Sequence, residues 1–227
     1  MDLQKQYNNS QDLKRDYYLF SPSLYGRIFV LVDFSNVRHW AKSFWPKENK
    51  DRIKKEIDIK KLAGVINWIN PQEKRFYYGY WKKNSELSKD HEINIKHRNS
   101  WFRIDKAVKN GFIPRSKEIK EIPAFDDSGK FTGYSPKCNF DVEITLDAIT
   151  QMPKYDTLFL WTGDSDFDEL LRYLKSKGKK IVTICSRDFA SNELENNSTL
   201  FIPADPLKNF LEFIPYKTDT PGLRREV

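Results

Sequence analysis

The sequence predicts a three-layer α/β/α, Rossmann-like domain with a mostly parallel central sheet. Three observations predict it. Short, mostly apolar runs at Ile28–Val32, Leu158–Trp161 and Ile181–Cys185 have the composition of strands buried on both faces, as in parallel sheets. Stretches of helical periodicity alternate with them along the chain, the pattern of β/α units. Two of the runs lead directly into acidic residues, and in open α/β sheets ligands collect at the carboxyl ends of the strands.

The elements follow in order. Residues 1–25 are polar with scattered aromatics and read as an N-terminal extension with room for one short helix. Arg27–Asp33 is the first buried strand, and it ends in an aspartate. Asp58 precedes a helix in which Leu62, Val65, Ile66 and Ile69 share a face, stopped by Asn70-Pro71. Arg75–Trp81 has strand composition. Residues 82–100 are rich in Lys, Arg and His and read as a solvated basic loop. Trp101–Asn110 reads as a short helix with Gly111 as its stop, and Phe112–Ile122 as a strand. Residues 123–136, with Asp126-Asp127-Ser128-Gly129, read as a hairpin turn or insertion.

Further along, Phe140, Ile144 and Ala148 define a helix over 140–151, its face widened by Leu146 and Ile149 and its end marked by Pro153. Thr157–Thr162 is a second buried strand, Asp166–Lys177 a helix with Leu170, Leu171 and Leu174 inward, and Lys180–Cys185 a third strand. Thr199–Ile202 is a short strand. Asp205-Pro206 then supplies an N-cap and a first-turn proline to a helix over Leu207–Ile214. The domain is placed at 26–214, with a basic insertion at about 82–100 and a tail at 215–227.

At 227 residues the chain can bury a full core. Lys plus Arg number 39 against 32 Asp plus Glu, a net charge of +7 that favours a polyanionic partner. The longest apolar run is five residues, far from the roughly 20 that span a bilayer, so no membrane association is expected. The first residues lack the apolar core of a secretory signal. With two Cys and three His, neither a disulfide framework nor a Cys/His zinc site is expected. A reducing, cytoplasmic setting is the default.

The chemistry concentrates in acidic residues. Asp33 closes the first strand, with Asn36 three residues later. Asp164, Asp166 and Asp168 stand at alternate positions after the second strand, more carboxylates than helix capping needs. A third contribution comes from the helix opening at Asp141. Asp147, six residues on, is about 600° around that helix and points elsewhere, so Asp141 is the better ligand and Asp147 a supporting residue. Carboxylates gathered at one sheet edge repel one another, and a hard cation such as Mg²⁺ or Mn²⁺ is the natural compensation.

The ordered set VDFSN, KCNFDVEITLDAI and LFLWTGDSDFDELLRYLKSKGKKI resembles the NYN domain, the LabA-like branch of the PIN-like ribonuclease superfamily, over residues 27–214. The resemblance implies a Rossmann-like sheet and an acidic pocket that binds a divalent metal for phosphodiester hydrolysis, leaving a 3′-hydroxyl and a 5′-phosphate. By position it assigns the pocket to Asp33, Asn36, Asp141, Asp164 and Asp166, with Asp168 as an extra ligand. Family members often carry glycine where Asn139 stands, and the segment from about 82 to 100 is longer and more basic here.

The function expected from these residues is a metal-dependent nuclease acting on RNA, with Asp33, Asp141, Asp164 and Asp166 holding one or two Mg²⁺ or Mn²⁺ ions. Asn36 would orient the scissile phosphate or the water. Lys42, Lys82, Lys83, Lys96, Arg98 and Lys137 would bind flanking phosphates. Trp40, Phe44 and Trp45, which follow the first acidic motif with His39, could stack on bases or simply pack in the core. Homodimer formation is compatible with the sequence. A nucleic-acid-binding regulatory module with the same pocket and little turnover is the alternative. A nucleotide-sugar transferase would leave Asp33 and Asp141 unused, and a haloacid-dehalogenase-type phosphatase lacks the acid two residues after Asp33, where Ser35 stands.

Overall fold

The computed structural model describes residues 22–46, 55–82 and 91–213. Most of the N-terminal extension, the tail and Lys83 lie outside them. Six strands, β1 (Ile28–Asp33), β3 (Glu73–Tyr77), β4 (Ile113–Arg115), β7 (Thr157–Trp161), β8 (Lys180–Cys185) and β9 (Leu200–Pro203), form one sheet in the order β4-β3-β1-β7-β8-β9. Every pairing in it is parallel. The chain runs outward from β1 through β3 to β4, then returns to the other side of β1 at β7 and continues to β9. The order therefore reverses between β1 and β7, which makes their carboxyl ends the topological switch point.

Alternation along the strands fills two cores. Val30, Val32, Phe76, Phe159, Trp161, Val182 and Ile184 face one side. That side is covered by α2 (Phe34–Val37), α3 (Ala41–Phe44), α4 (Ile59–Asn67), α5 (His91–Lys109) and α9 (Lys208–Leu211), following the one-turn α1 (Pro22–Tyr25). Phe29, Leu31, Tyr77, Leu158, Leu160 and Ile181 face the other, under α6 (Asp141–Thr150), α7 (Asp168–Ser176) and α8 (Asn192–Asn197). The result is the three-layer α/β/α arrangement. Among the described residues no helix is long and apolar enough to cross a membrane.

Local chemistry sets the element ends. Asp58 caps α4 by accepting from Lys61 N at 2.9 Å, and Asn70 leaves the helix with a left-handed φ of 48°. Two expectations need correction. The described part of the basic segment is helix: α5 starts at His91, not Trp101. Its inward face carries His97 and Ser100 before Ile104 and Ala107, so hydrogen bonds rather than an apolar stripe attach its first turns. The expected strand over 112–122 is two: β4 ends at Arg115, and β5 (Lys120–Phe125) pairs antiparallel with β6 (Phe131–Lys137) as a separate hairpin.

Smaller differences follow the same logic. The chain after Ala204 makes a 3₁₀ turn over Asp205–Leu207 before α9, and Glu212–Phe213 (β10) leaves the helix to pair with Glu56–Ile57 (β2). Asp205 is not the helix cap. Its carboxylate accepts from Arg187 N at 3.0 Å and Ser186 Oγ at 3.3 Å, tying the end of β8 to the following loop. Leu146, expected inward on α6, is exposed.

Candidate metal and phosphate site

Asp33 is the last residue of β1, 5 % exposed. Val32 pairs with Trp161 across the switch point, so the next residues, Asp33 and Thr162, meet at the sheet edge. Thr162 Oγ1 donates to Asp33 Oδ2 at 3.5 Å and accepts from Asp164 N at 3.3 Å, keying both acidic segments to one hydroxyl. Asp33 Oδ1 accepts from Asn36 N at 3.2 Å, which turns the chain into α2. Asp164 Oδ1 does the same for Asp166 N at 3.1 Å, starting the 3₁₀ turn Ser165–Phe167 that leads into α7. Asp141 opens α6, and its Oδ2 accepts from Asn139 Nδ2 at 2.7 Å.

These carboxylates sense one another. Burial pushes the Asp33 carboxyl up to about 7, opposed by the Asn36 and Ser35 backbone N–H groups and reinforced by the charges of Asp141 and Asp164. Burial also raises Asp141, with the charges of Asp164, Asp166 and Glu143 adding to the rise and Lys117 opposing it. Lys117 is itself paired with Glu143 at 2.5 Å. Asp33, Asp141, Asp164 and Asp166, from three separate stretches, are thus brought into one electrostatic neighbourhood. Among the described residues no group of three or more His, Cys, Asp or Glu side chains stands close enough together, as placed, to hold a metal ion. The four carboxylates offer oxygen donors only, burial and their acidic neighbours raise Asp33 and Asp141, and among the described residues no cation is bonded to Asp33; by chemistry, though not by present spacing, the set suits a hard divalent ion.

Asn36, three residues after Asp33, is held through its amide oxygen. Its Oδ1 accepts from Trp40 Nε1 at 3.2 Å and from Gly163 N at 3.2 Å. The amide oxygen therefore clamps the loop that carries Asp164 onto α2. Gly163 fits there because it has no side chain: a Cβ would stand 2.2 Å from the Phe189 carbonyl oxygen. Trp40 and Phe44 are 0 % and 6 % exposed, and Trp40 stacks on Trp161 with centroids 6.2 Å apart. The structure thus resolves the packing alternative for these two rings, while Trp45 is partly buried beside Phe44.

The remaining predicted residues are spread out. Asp147 lies further along α6, where it accepts from Tyr77 Oη at 2.7 Å and pairs with Arg75 at 2.5 Å and Arg115 at 2.9 Å. Asp168 accepts from Asn197 Nδ2 and pairs with Arg172 at 2.7 Å. Lys42, Lys82, Arg98 and Lys137 are exposed, and Lys96 sits 5.1 Å over the Trp81 ring. Sequence reasoning missed Thr162, Asn139 as a partner of Asp141, Trp40 as a hydrogen-bond donor, and Cys138, whose thiol burial and the Glu143 and Asp33 charges raise against the opposing field of Lys117. Only Asn139 carried a signal, as the departure from the family glycine.

A parallel α/β sheet with carboxylates gathered at its switch point defines a PIN-like domain. The NYN domain family matches residues 27–208, and the chain belongs to that family. Among curated proteins, the low amplitude and bright protein LabA of Synechococcus elongatus is 29 % identical over 117 residues, 52 % of this chain and 59 % of LabA. The match therefore spans about three-fifths of that relative's length. A crystal structure of a protein of unknown function from Vibrio parahaemolyticus shares the fold, with a TM-score of 0.54 and 20 % identity over 86 % of this chain and 100 % of that one.

Proposed function

We propose that the protein hydrolyses phosphodiester bonds in RNA, with Asp33, Asp141, Asp164 and Asp166 as the ligands of Mg²⁺ or Mn²⁺. One observation carries the reading: a buried aspartate at the topological switch point, raised first by its burial and further by the charges of Asp141 and Asp164, and paired with no cation among the described residues. When bound, the ion supplies a more acidic water and neutralises charge on the phosphate under attack.

The chain's own groups prepare that site. Thr162 Oγ1 orients the Asp33 carboxylate and the backbone of Asp164 together. Asn139 holds one oxygen of Asp141. Asn36 and Trp40 fix the loop bearing Asp164, so Asn36 acts as a positioning residue through its amide oxygen. Exposed Lys42, Lys82, Arg98 and Lys137, with Lys96, supply cations for the flanking phosphates.

The test is incubation of the full chain with labelled single-stranded RNA and DNA in Mn²⁺, Mg²⁺ or EDTA. RNA cleavage is expected with either ion, absent in EDTA, and lost in Asp33→Asn and Asp164→Asn while RNA affinity persists. Cleavage indifferent to both substitutions overturns the reading. RNA binding without cleavage under every condition identifies the regulatory module instead.

A further inference from the structure

With Trp40 and Phe44 buried, rings accessible to a ligand lie elsewhere on the same sheet edge. Trp101, on α5, is 43 % exposed, and its ring lies 4.8 Å from that of Tyr80 at 34°. The next residue, Trp81, has the Lys96 ammonium 5.1 Å over its ring. Lys82 and Arg98 are exposed beside them in sequence, while Glu118, the bridge partner of Tyr80, is the adjacent acid.

The cluster is rigidly built. Trp81 N donates to Ser100 Oγ at 3.2 Å, Trp81 O is bonded to His97 Nδ1 at 2.6 Å, and Ser100 Oγ donates to His97 O at 2.7 Å. These bonds weld the segment after β3 to the first turns of α5. The cluster follows β3, the strand that pairs with β1. Tyr77 pairs with Asp33 in register. Gly79 lies against Cys138, where an added Cβ would stand 2.7 Å from Sγ, and the Cys138 thiol feels the charge of Asp33. Gly79 thus lies against Cys138, and Tyr80, the next residue, packs partly on the opposite core.

We propose that Tyr80, Trp81 and Trp101 form a stacking platform for an unpaired nucleobase, with Lys82, Lys96 and Arg98 on the adjoining phosphates, and that the platform makes the site select single strands over duplex. The proposal rests on the phosphodiester reading above. Flat rings interleaved with cations are the recurrent means of holding single-stranded nucleic acid. In a duplex the base faces are occupied by their own stack. A few rings are also too little surface for a stable protein partner, which takes about 800 Å² per side, whereas each base stacked on an aromatic contributes about 1–3 kcal/mol.

The experiment is fluorescence anisotropy of the full chain with labelled single-stranded RNA, single-stranded DNA and blunt duplex, in EDTA so that binding is read without turnover. Trp101→Ala is expected to weaken single-strand binding by about 5- to 150-fold, the fold-change equivalent of one lost stack, and to leave duplex binding unchanged. Trp101→Phe, which keeps a ring, retains most of the affinity. Arg98→Ala weakens both forms alike and lowers the salt slope by about one. Single-strand affinity unchanged in Trp101→Ala, equal losses on both forms, or a substitution that alters only the oligomeric state overturns the platform. Trp101-dependent binding by a protein that never cleaves keeps the platform and removes the hydrolysis. Cleavage with an unchanged KM in Trp101→Ala does the reverse.

Discussion

Folding holds the Asp33 carboxyl where its charge is disfavoured, and this has a measurable sign. Its folded value of about 7 lies above the ordinary carboxylate range. Between about pH 4 and pH 7 the native protein therefore keeps a proton that the unfolded chain has released, and stability from this group falls as pH rises through that window. In EDTA, Asp33→Asn is expected to be more stable than the parent at pH 8, on the order of 2 kcal/mol, and no more stable at pH 4. Urea midpoints at the two pH values check this, and a variant less stable at pH 8 refutes it. Thr162→Val, which keeps the shape and removes the shared hydroxyl, is expected to cost roughly 10- to 100-fold in Mn²⁺ affinity, read by titration. The acidic segment stood out in the sequence because three carboxylates in alternation exceed what capping needs, though the third, Asp168, bonds Arg172 and Asn197. Thr162 did not, because a single hydroxyl makes no pattern until the fold brings Asp33 to it.

At the scale of elements, α6 is placed by one buried ion cluster. Burial pushes the Asp147 carboxyl up, but bonds from Arg75, Tyr77 and Arg115 outweigh it and hold it below its ordinary value. A lowered value means stability present above the unfolded pKa and lost as pH falls. Asp147→Ala removes one of the two carboxylates that pair with the Arg75 guanidinium, whose side chain is 7 % exposed, and leaves it Glu73 alone, while Tyr77 Oη loses its acceptor. A loss of about 3–5 kcal/mol is expected in urea unfolding at pH 7, and a loss below 1 kcal/mol contradicts the anchoring role. Gly163→Ala is expected to fold while displacing the Asp164 loop, because its Cβ meets the Phe189 backbone; Mn²⁺ titration should show weakened binding. The strands buried on both faces were legible because continuous apolar runs have few other uses. The start of α5 was hidden because Ser100 and His97 face inward and erase the apolar period, and β4 ran into β5 on paper because nothing in the composition marks where an edge strand leaves its sheet.

For the whole molecule, the order β4-β3-β1-β7-β8-β9 matters more than any single element, since it puts the ends of β1 and β7 side by side at the reversal. Asp33 and the segment Thr162–Asp166 then share one edge, and α6 delivers Asp141 from the layer above. The chain as a whole carries a net charge of +7, the sign that the proposed polyanionic substrate calls for.

The most direct measurement is calorimetric titration of the metal-free full chain with Mn²⁺ at pH 8, beside Asp33→Asn, Asp141→Asn and Asp164→Asn. Saturable binding by the parent that each substitution weakens at least tenfold, about 1.4 kcal/mol, is the predicted result. Parent and variants binding Mn²⁺ alike would contradict a shared ion, and with it the hydrolytic role assigned to this edge of the sheet.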